Sequence, residues 1–404
     1  MINLTIMLIV LLMSGSAFSA GFRLSEQSAR ANGMGNSFTA VSDDASAVWY
    51  NPAAITELEK TQLSLGSVMI APEMEHKNTN GTTDKIAKRL HVPPQIYATR
   101  KLNEKISLGF GINAPFGLQT NWGTGSNTKS VATLSDIKAF NYNLNTAYKV
   151  NDKLSLAAGA DYMTIDAKLN KMIGTKEFEL EGDGNGWGYN LAAFYKLNEK
   201  WNLGANYRSQ VKIDIDGTAK YFTSDNSAST KLTLPDTFQL GAAYKASEKW
   251  LFSLTADYTN WATYHKLNIK SKTILDITTT FVPSLPDTDT SIDTKKWKSV
   301  WAYRLGTEYK YSENLKLRGG FFYDFNPVRE KYFENRVPDT DRLAFSIGAG
   351  YTNGNMVFDF SYTYLKFMER KIDSTVQDDS LGNVLNGKYN AYAHLPAFSV
   401  GYKF

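Results

Sequence analysis

Apolar and polar residues alternate with a period of two along most of this chain. Over residues 201–216 the odd positions are Trp201, Leu203, Ala205, Tyr207, Ser209, Val211, Ile213 and Ile215. The even positions carry Asn202, Gly204, Asn206, Arg208, Gln210, Lys212, Asp214 and Asp216. That is the period of a β-strand with one apolar and one polar face. Met356, Phe358, Phe360, Tyr362 and Tyr364 repeat it against Asp359, Ser361 and Thr363. So do Leu315, Leu317, Phe321, Tyr323 and Phe325 against Lys316, Arg318 and Asp324. Strands this long exceed the usual length of about five or six residues. They suit a tilted membrane crossing of ~10 residues that runs on into exposed loops.

The strands recur as hairpins. YKVNDKL (148–154), YKLNEKW (195–201), YKASEKW (244–250) and YKYSENL (309–315) each place an aromatic before a four-residue polar turn and a new alternating run. LNEK (102–105) and TNGN (352–355) are turns of the same kind. Six short turns join twelve strands, and a first strand from Gln62 and a last one ending at Phe404 make fourteen. Between hairpins lie longer segments rich in Thr, Ser, Asn, Asp and Gly, the asymmetry of an outer-membrane barrel. Tyr148, Tyr195, Tyr244, Tyr309, Tyr351 and Tyr402 fall at one depth, as an interfacial girdle does, while Tyr97 lies too far from its turn to join them. The predicted fold is therefore all-β, a 14-stranded antiparallel transmembrane β-barrel in the outer membrane of a Gram-negative bacterium. The terminal alternation of Phe398, Val400, Tyr402 and Phe404 resembles the signal read by the barrel-assembly machinery, an expected partner during biogenesis.

The N-terminal sixth of the chain reads differently. Residues 1–19 hold a short apolar run, Ile6 to Met13, followed by small residues, the layout of a secretory signal peptide. Residues 20–61 lack strand alternation, and Asn51-Pro52 pairs a helix-capping residue with proline at the first helical position. Asp43 or Asp44 is a second candidate cap. A segment this short cannot bury a core alone, so it is expected to plug a barrel formed by residues 62–404.

Composition narrows the function. The 404 residues include no cysteine, which removes disulfides and thiolate metal sites. Lys and Arg number 44 against 40 Asp and Glu, too even a balance for a nucleic-acid partner. His76, His91, His265 and His394 are scattered and form no triad with a serine. No catalytic residue, cofactor or metal site is expected, and EGDGNG (181–186) reads as a loop that lacks the later glutamate of a calcium site.

An ordered set of short motifs resembles the FadL/TodX family of outer-membrane fatty-acid and hydrocarbon channels. Ala20-Gly21-Phe22 looks like that family's mature start, and Asn51-Pro52-Ala53 matches its hatch motif. APFGL (114–118), SDIK (135–138), AYKVNDKLSLAAGADY (147–162), GDGNGWGYN (182–190), YRSQVKIDIDG (207–217), LPDTFQLG (234–241), YRLGTEY (303–309) and PDTDR (338–342) follow in family order. The resemblance implies a small N-terminal hatch domain inside the barrel. It also implies passive uptake of long-chain fatty acids or similar hydrophobic molecules, captured by extracellular loops. Release is then lateral, into outer-membrane lipid, through a gap at a kinked third strand. A barrel for aromatic hydrocarbons is the alternative reading, and an outer-membrane lipid hydrolase a more distant one.

Candidate residues follow from pattern and resemblance together. Asn51, Pro52 and Ala53 are gating candidates, or else a helix cap that holds the plug. Phe22 is placed in the ligand pocket by the resemblance; the bland alternative is a loose terminus. Gly109, Gly111 and Gly117 suit a bend and a lateral opening in the third strand. Phe116, Leu118 and Trp122 form an apolar patch where a loop should be polar, a capture surface or a set of interface anchors. Arg208 and Arg304 fall on lumen faces by alternation, as do Lys212 and Arg318, and such an arginine binds either a ligand carboxylate or an acid such as Asp214, Glu308 or Asp324. The chain is expected to act as a monomer.

Overall fold

The computed structural model describes residues 21–281, 287–373, 376 and 383–404; the leader expected over residues 1–19 lies outside them. Among the described residues fourteen antiparallel strands close into a barrel, and no helix is long and apolar enough to cross a membrane. The first strand runs Thr61–Val68 and on through Ala71–Asn78, followed by the second (Pro94–Lys101), third (Ile106–Asn121), fourth (Leu134–Lys149), fifth (Leu154–Ile173) and sixth (Lys176–Lys196). Each of the next four is interrupted: the seventh (Trp201–Arg208, Val211–Tyr221), eighth (Ser224–Leu234, Thr237–Lys245), ninth (Trp250–Thr259, Lys266–Ser271) and tenth (Thr290–Thr294, Val300–Lys310). The eleventh (Leu315–Asp324), twelfth (Arg342–Asn353), thirteenth (Met356–Phe367) and fourteenth (Gly387–Lys403) complete the wall. Closure comes from Gln62–Val68 pairing with Ala397–Lys403. Closure matters because a free strand edge in hydrocarbon leaves N–H and C=O groups without partners.

The six expected turns join the strands at one end, periplasmic in barrels of this kind. Asn103, Asn151 and Asn198 each accept two backbone N–H groups across the tip, which is why those turns need asparagine. The girdle follows just inside: Trp201 stacks on Tyr244 at 4.6 Å and Trp250 meets Tyr309 at 4.6 Å. Tyr97 instead points inward, and its hydroxyl donates to Gln27 O.

The uniform two-faced strand expected over 201–216 does not form. The ladder breaks at Ser209-Gln210, and this one-residue slip inverts the faces. Below the break Gly204, Asn206 and Arg208 point inward and Trp201 and Leu203 outward; above it Val211, Ile213 and Ile215 are buried and Lys212, Asp214 and Asp216 exposed. Lys212 is therefore outside the barrel, not on its lumen face. The thirteenth strand reaches the same inversion by composition, since inward Asp359, Ser361 and Thr363 give way to Leu365 and Phe367. The barrel thus has a polar interior at the turn end and an apolar interior at the loop end.

Residues 21–58 are almost wholly buried against the barrel's inward-facing side chains. A short helix, Ala29–Gly33, touches the twelfth and thirteenth strands, and a 3₁₀ turn, Pro52–Glu57, touches the third to sixth. Asn51 Oδ1 accepts from Ala53 N, so the capping geometry expected of Asn51-Pro52 is present, and Asp44 Oδ1 accepts from Ser46 N ahead of Ala47–Tyr50. Gly109 and Gly111 make room for this segment, because a Cβ on Gly109 would lie 2.8 Å from Val48 Cγ2. The bend falls elsewhere, at Ala114-Pro115, where the pairing register with the fourth strand shifts between Asn113 and Phe116. Gly109→Val should overpack the Val48 contact by about 1–3 kcal/mol, lowering the unfolding temperature of the purified barrel. A variant as heat-resistant as the parent protein would show that the glycine is not needed for this packing.

Candidate functional site

The apolar loop end holds a partly open cavity of about 60 Å³. Phe22, Leu118, Ile137, Leu180, Ile215 and Leu232 line it. Phe22 comes from the N-terminal segment, and the other five from strands whose inward positions are apolar at the loop end. Phe22 is 1% exposed and sits in an aromatic cluster, 4.7 Å from Trp261, 5.8 Å from Tyr264 and 6.1 Å from Phe116 between ring centres. Gly21 must be glycine there: φ is +65° and both Trp261 and Trp297 press on the position a Cβ would take. Asp339 Oδ2 accepts from Gly21 N at 2.8 Å and holds the segment in place.

Phe116, Leu118 and Trp122 do not form an exposed capture patch. All three are buried: Phe116 packs on Phe22, Leu118 lines the cavity, and Trp122 Nε1 donates to Asn335 O. They lie on the strand's extension above the crossing, where the interior is the apolar side.

Arg208 and Arg304 line neither cavity described here. Arg208 bonds Asp161 at 2.6 Å, donates to Val48 O and Trp49 O, and stacks over Trp49. Arg304 pairs with Asp324 at 3.1 Å and Asp257 at 3.3 Å, and Arg318 with Glu308 and Asp359. Of the acids expected as partners, Asp324 and Glu308 serve, whereas Asp214 faces outward and pairs with Lys231.

The cations at the cavity are others. Lys295 and Arg336 line it, and Arg336 continues with Lys171 into an adjoining space of about 410 Å³ walled by Ile173, Phe178, Ile274 and Ile277. Lys295 is bonded to Glu334 and lies 2.7 Å from Asp293. Burial works against its charge, but the two carboxylates outweigh it and hold the ammonium above the ordinary lysine range. Burial, reinforced by Asp293, raises Glu334 above the usual carboxylate range. Lys171 has no ion-pair partner among the described residues. Sequence reasoning missed these groups because they lie in loops or beyond the two-faced part of a strand, where alternation says nothing about direction.

The third strand loses its second-strand neighbour beyond Ile112, which pairs with Ile96. The N-terminal segment takes over: Leu24 N donates to Pro115 O at 2.7 Å, Gly117 N to Phe22 O at 2.8 Å, and Gln27 Nε2 to Ala114 O at 3.0 Å. The gating candidate Asn51 does not serve these groups; its Nδ2 donates to Thr39 O and Ala193 O on the sixth-strand side. Gly117 is buried on this edge, where its N–H donates to Phe22 O, while EGDGNG is part of the sixth strand, not a loop.

A closed barrel, an apolar cavity at its loop end and an N-terminal segment bonded to a broken third strand are the setting for comparison with known proteins. The profile of the outer membrane protein transport protein family (OMPP1/FadL/TodX) matches residues 10–404. The chain belongs to this family. It is 26% identical to the long-chain fatty acid transport protein of Salmonella typhi, over 90% of this chain and 91% of that one. It is 27% identical to outer membrane protein P1 of Haemophilus influenzae, over 98% and 97%. The fold superposes on a Pseudomonas aeruginosa FadL homologue with a TM-score of 0.83 at 18% identity, covering 95% of this chain and all of the other. The Pseudomonas putida toluene transporter TodX gives 0.72 at 18% identity, covering 96% and 100%. This FadL/TodX-type barrel is an outer-membrane channel for hydrophobic substrates of a Gram-negative bacterium, not an enzyme.

Arg208→Met should destabilise the protein by about 3–5 kcal/mol, because it strands the buried Asp161 carboxylate. Ligand affinity of the folded fraction should stay within about twofold. Loss of affinity at full folding, measured by fluorescence titration, would return Arg208 to the ligand site.

Proposed function

We propose that the channel takes up long-chain fatty acids or closely similar anionic amphiphiles, and that residues 20–61 act as its hatch. The observation that carries the acid reading is the cavity's chemistry: an apolar run that starts at Phe22 and ends at Lys171 and Arg336. Each buried CH₂ contributes about 0.8 kcal/mol, and a cation with a free hydrogen-bonding site adds about 1.5–3 kcal/mol for a carboxylate. The fatty-acid transport named for the Salmonella relative agrees with this. The aromatic walls of Phe22 and Tyr264, backed by Phe116 and Trp261, favour, as the second reading, a ring-shaped hydrocarbon of the kind TodX is named for.

Release is lateral in this proposal, through the wall beside Ala114–Gly117, with residues 22–27 as the closure and Asn51-Pro52-Ala53 as the anchor about which they are held. Opening must break three hydrogen bonds, a net of roughly 0.5–1.5 kcal/mol each, and expose Phe22, about 1.5–3 kcal/mol. A ligand that displaces Phe22 offsets the second cost by covering the same surface, so binding favours opening. A carboxylate passing this way avoids carrying its alkyl chain through periplasmic water.

Two experiments test the proposal. Lys171→Met and Arg336→Met should each weaken binding of a long-chain acid by about tenfold and leave its alcohol analogue nearly unchanged, as loss of one charge-assisted bond requires. Equal effects on acid and alcohol would remove the carboxylate role. Bridging Gln27→Cys to Asn113→Cys with a short bifunctional thiol reagent should keep binding but cut uptake by about tenfold or more. Full uptake with the bridge in place would sink the lateral route.

A further inference from the structure

The wall has a second break, between the eighth and ninth strands. Their ladder is continuous from Lys245–Leu251 to Thr237–Thr259 and resumes only at Ser229–Lys270 and Ala228–Ser271. Between these, residues 230–236 face residues 260–269, and Asn260 N donating to Asp236 O is the backbone bond that extends the lower ladder. The longer side contains the 3₁₀ turn Trp261–Thr263, which cannot present a strand edge.

Side chains close this seam instead. Leu232 and Leu267 are buried beside it, and Thr230 and Ile269 line the same cavity from its two sides. Thr230 Oγ1 is buried and has no hydrogen-bond partner in the described structure. Elsewhere in the wall, parting two strands breaks a run of backbone hydrogen bonds. Here it separates mainly apolar side chains, which a ligand's alkyl chain can replace. The inner side leads straight into the cavity. The outer side is exposed and polar, with Lys231, Lys266, Asn268, Lys270 and Lys272 around it. Lys231 and Lys270 are paired with Asp214 and Asp289, while Lys266 and Lys272 have no ion-pair partner among the described residues.

We propose that this seam is a lateral portal through which an anionic long-chain amphiphile is admitted to the cavity from the outside, distinct from the release gap at the third strand. The lysines attract the headgroup, the parted leucines accept the alkyl chain, and the seam recloses on side-chain packing. The proposal rests on the reading that the cavity binds such an amphiphile.

The chain has no native cysteine, so a disulfide can lock the seam cleanly. Thr230 and Ile269 are one position beyond the last paired residues, Ser229 and Lys270. In the full-length T230C/I269C protein, loading of cis-parinarate followed by stopped-flow fluorescence should slow by about tenfold or more on oxidation and recover on reduction. The oxidised and reduced forms carry the same two substitutions in the cavity lining, so a difference in their loading rates reports on the seam alone. A second variant, L232A/L267A, should load several-fold faster than the parent protein. Equal loading rates for the oxidised and reduced forms at complete cross-linking would overturn the portal, as would an unchanged rate in L232A/L267A. Failure of the reduced protein to bind cis-parinarate at all would instead overturn the acid-binding reading, and the portal with it.

Discussion

A strand that crosses hydrocarbon must pair every backbone N–H and C=O, and the rest of this molecule is arranged around that demand. It explains the closure of Gln62–Val68 on Ala397–Lys403. It also makes each lapse informative. At Ala114-Pro115 the wall breaks, and Leu24 N, Gln27 Nε2 and Phe22 O take over the pairing. Between the eighth and ninth strands it lapses again, at the apolar loop end, where leucines fill the space.

The interior is the second consequence. Packing a segment inside a barrel at membrane depth requires polar partners, and the lumen supplies them as a set of ion pairs. Arg23 meets Asp257, Arg30 meets Glu308, and Arg208, paired with Asp161 on the wall, donates to Val48 O and Trp49 O. Buried pairs of this kind add little net stability, because desolvation cancels most of their attraction. They do fix one position for residues 21–58, since any shift strands a charge. That precision matters at Phe22, which both lines the cavity and sits next to the groups that seal the third strand.

These couplings join cavity and wall in one short stretch of chain. Residues 22–27 touch the cavity on one side and the third-strand edge on the other, so the two are joined by direct contacts. Lys295 is tied up by Glu334 and Asp293, whereas Lys171 and Arg336 face the adjoining space.

The sequence by itself determined the barrel, the six turns, the girdle and the family, because period-two alternation and Asn-rich turns are local and survive without knowledge of neighbours. It also located the capping residue Asn51 and the lumen arginines. It did not determine which way a strand faces beyond a slip: one residue at Ser209-Gln210 sends Lys212 out and Ile213 in, and alternation is identical in either case. Nor did it show that Phe116, Leu118 and Trp122 are buried, since an apolar residue above the membrane looks the same whether it meets solvent or a cavity. The partners of Arg208 and Arg304, the bonding of Leu24 to Pro115 and the place of Lys171 beside the cavity were decided only by the closed barrel. Residues far apart in sequence become neighbours through strand register and plug position, and neither is written in any local pattern.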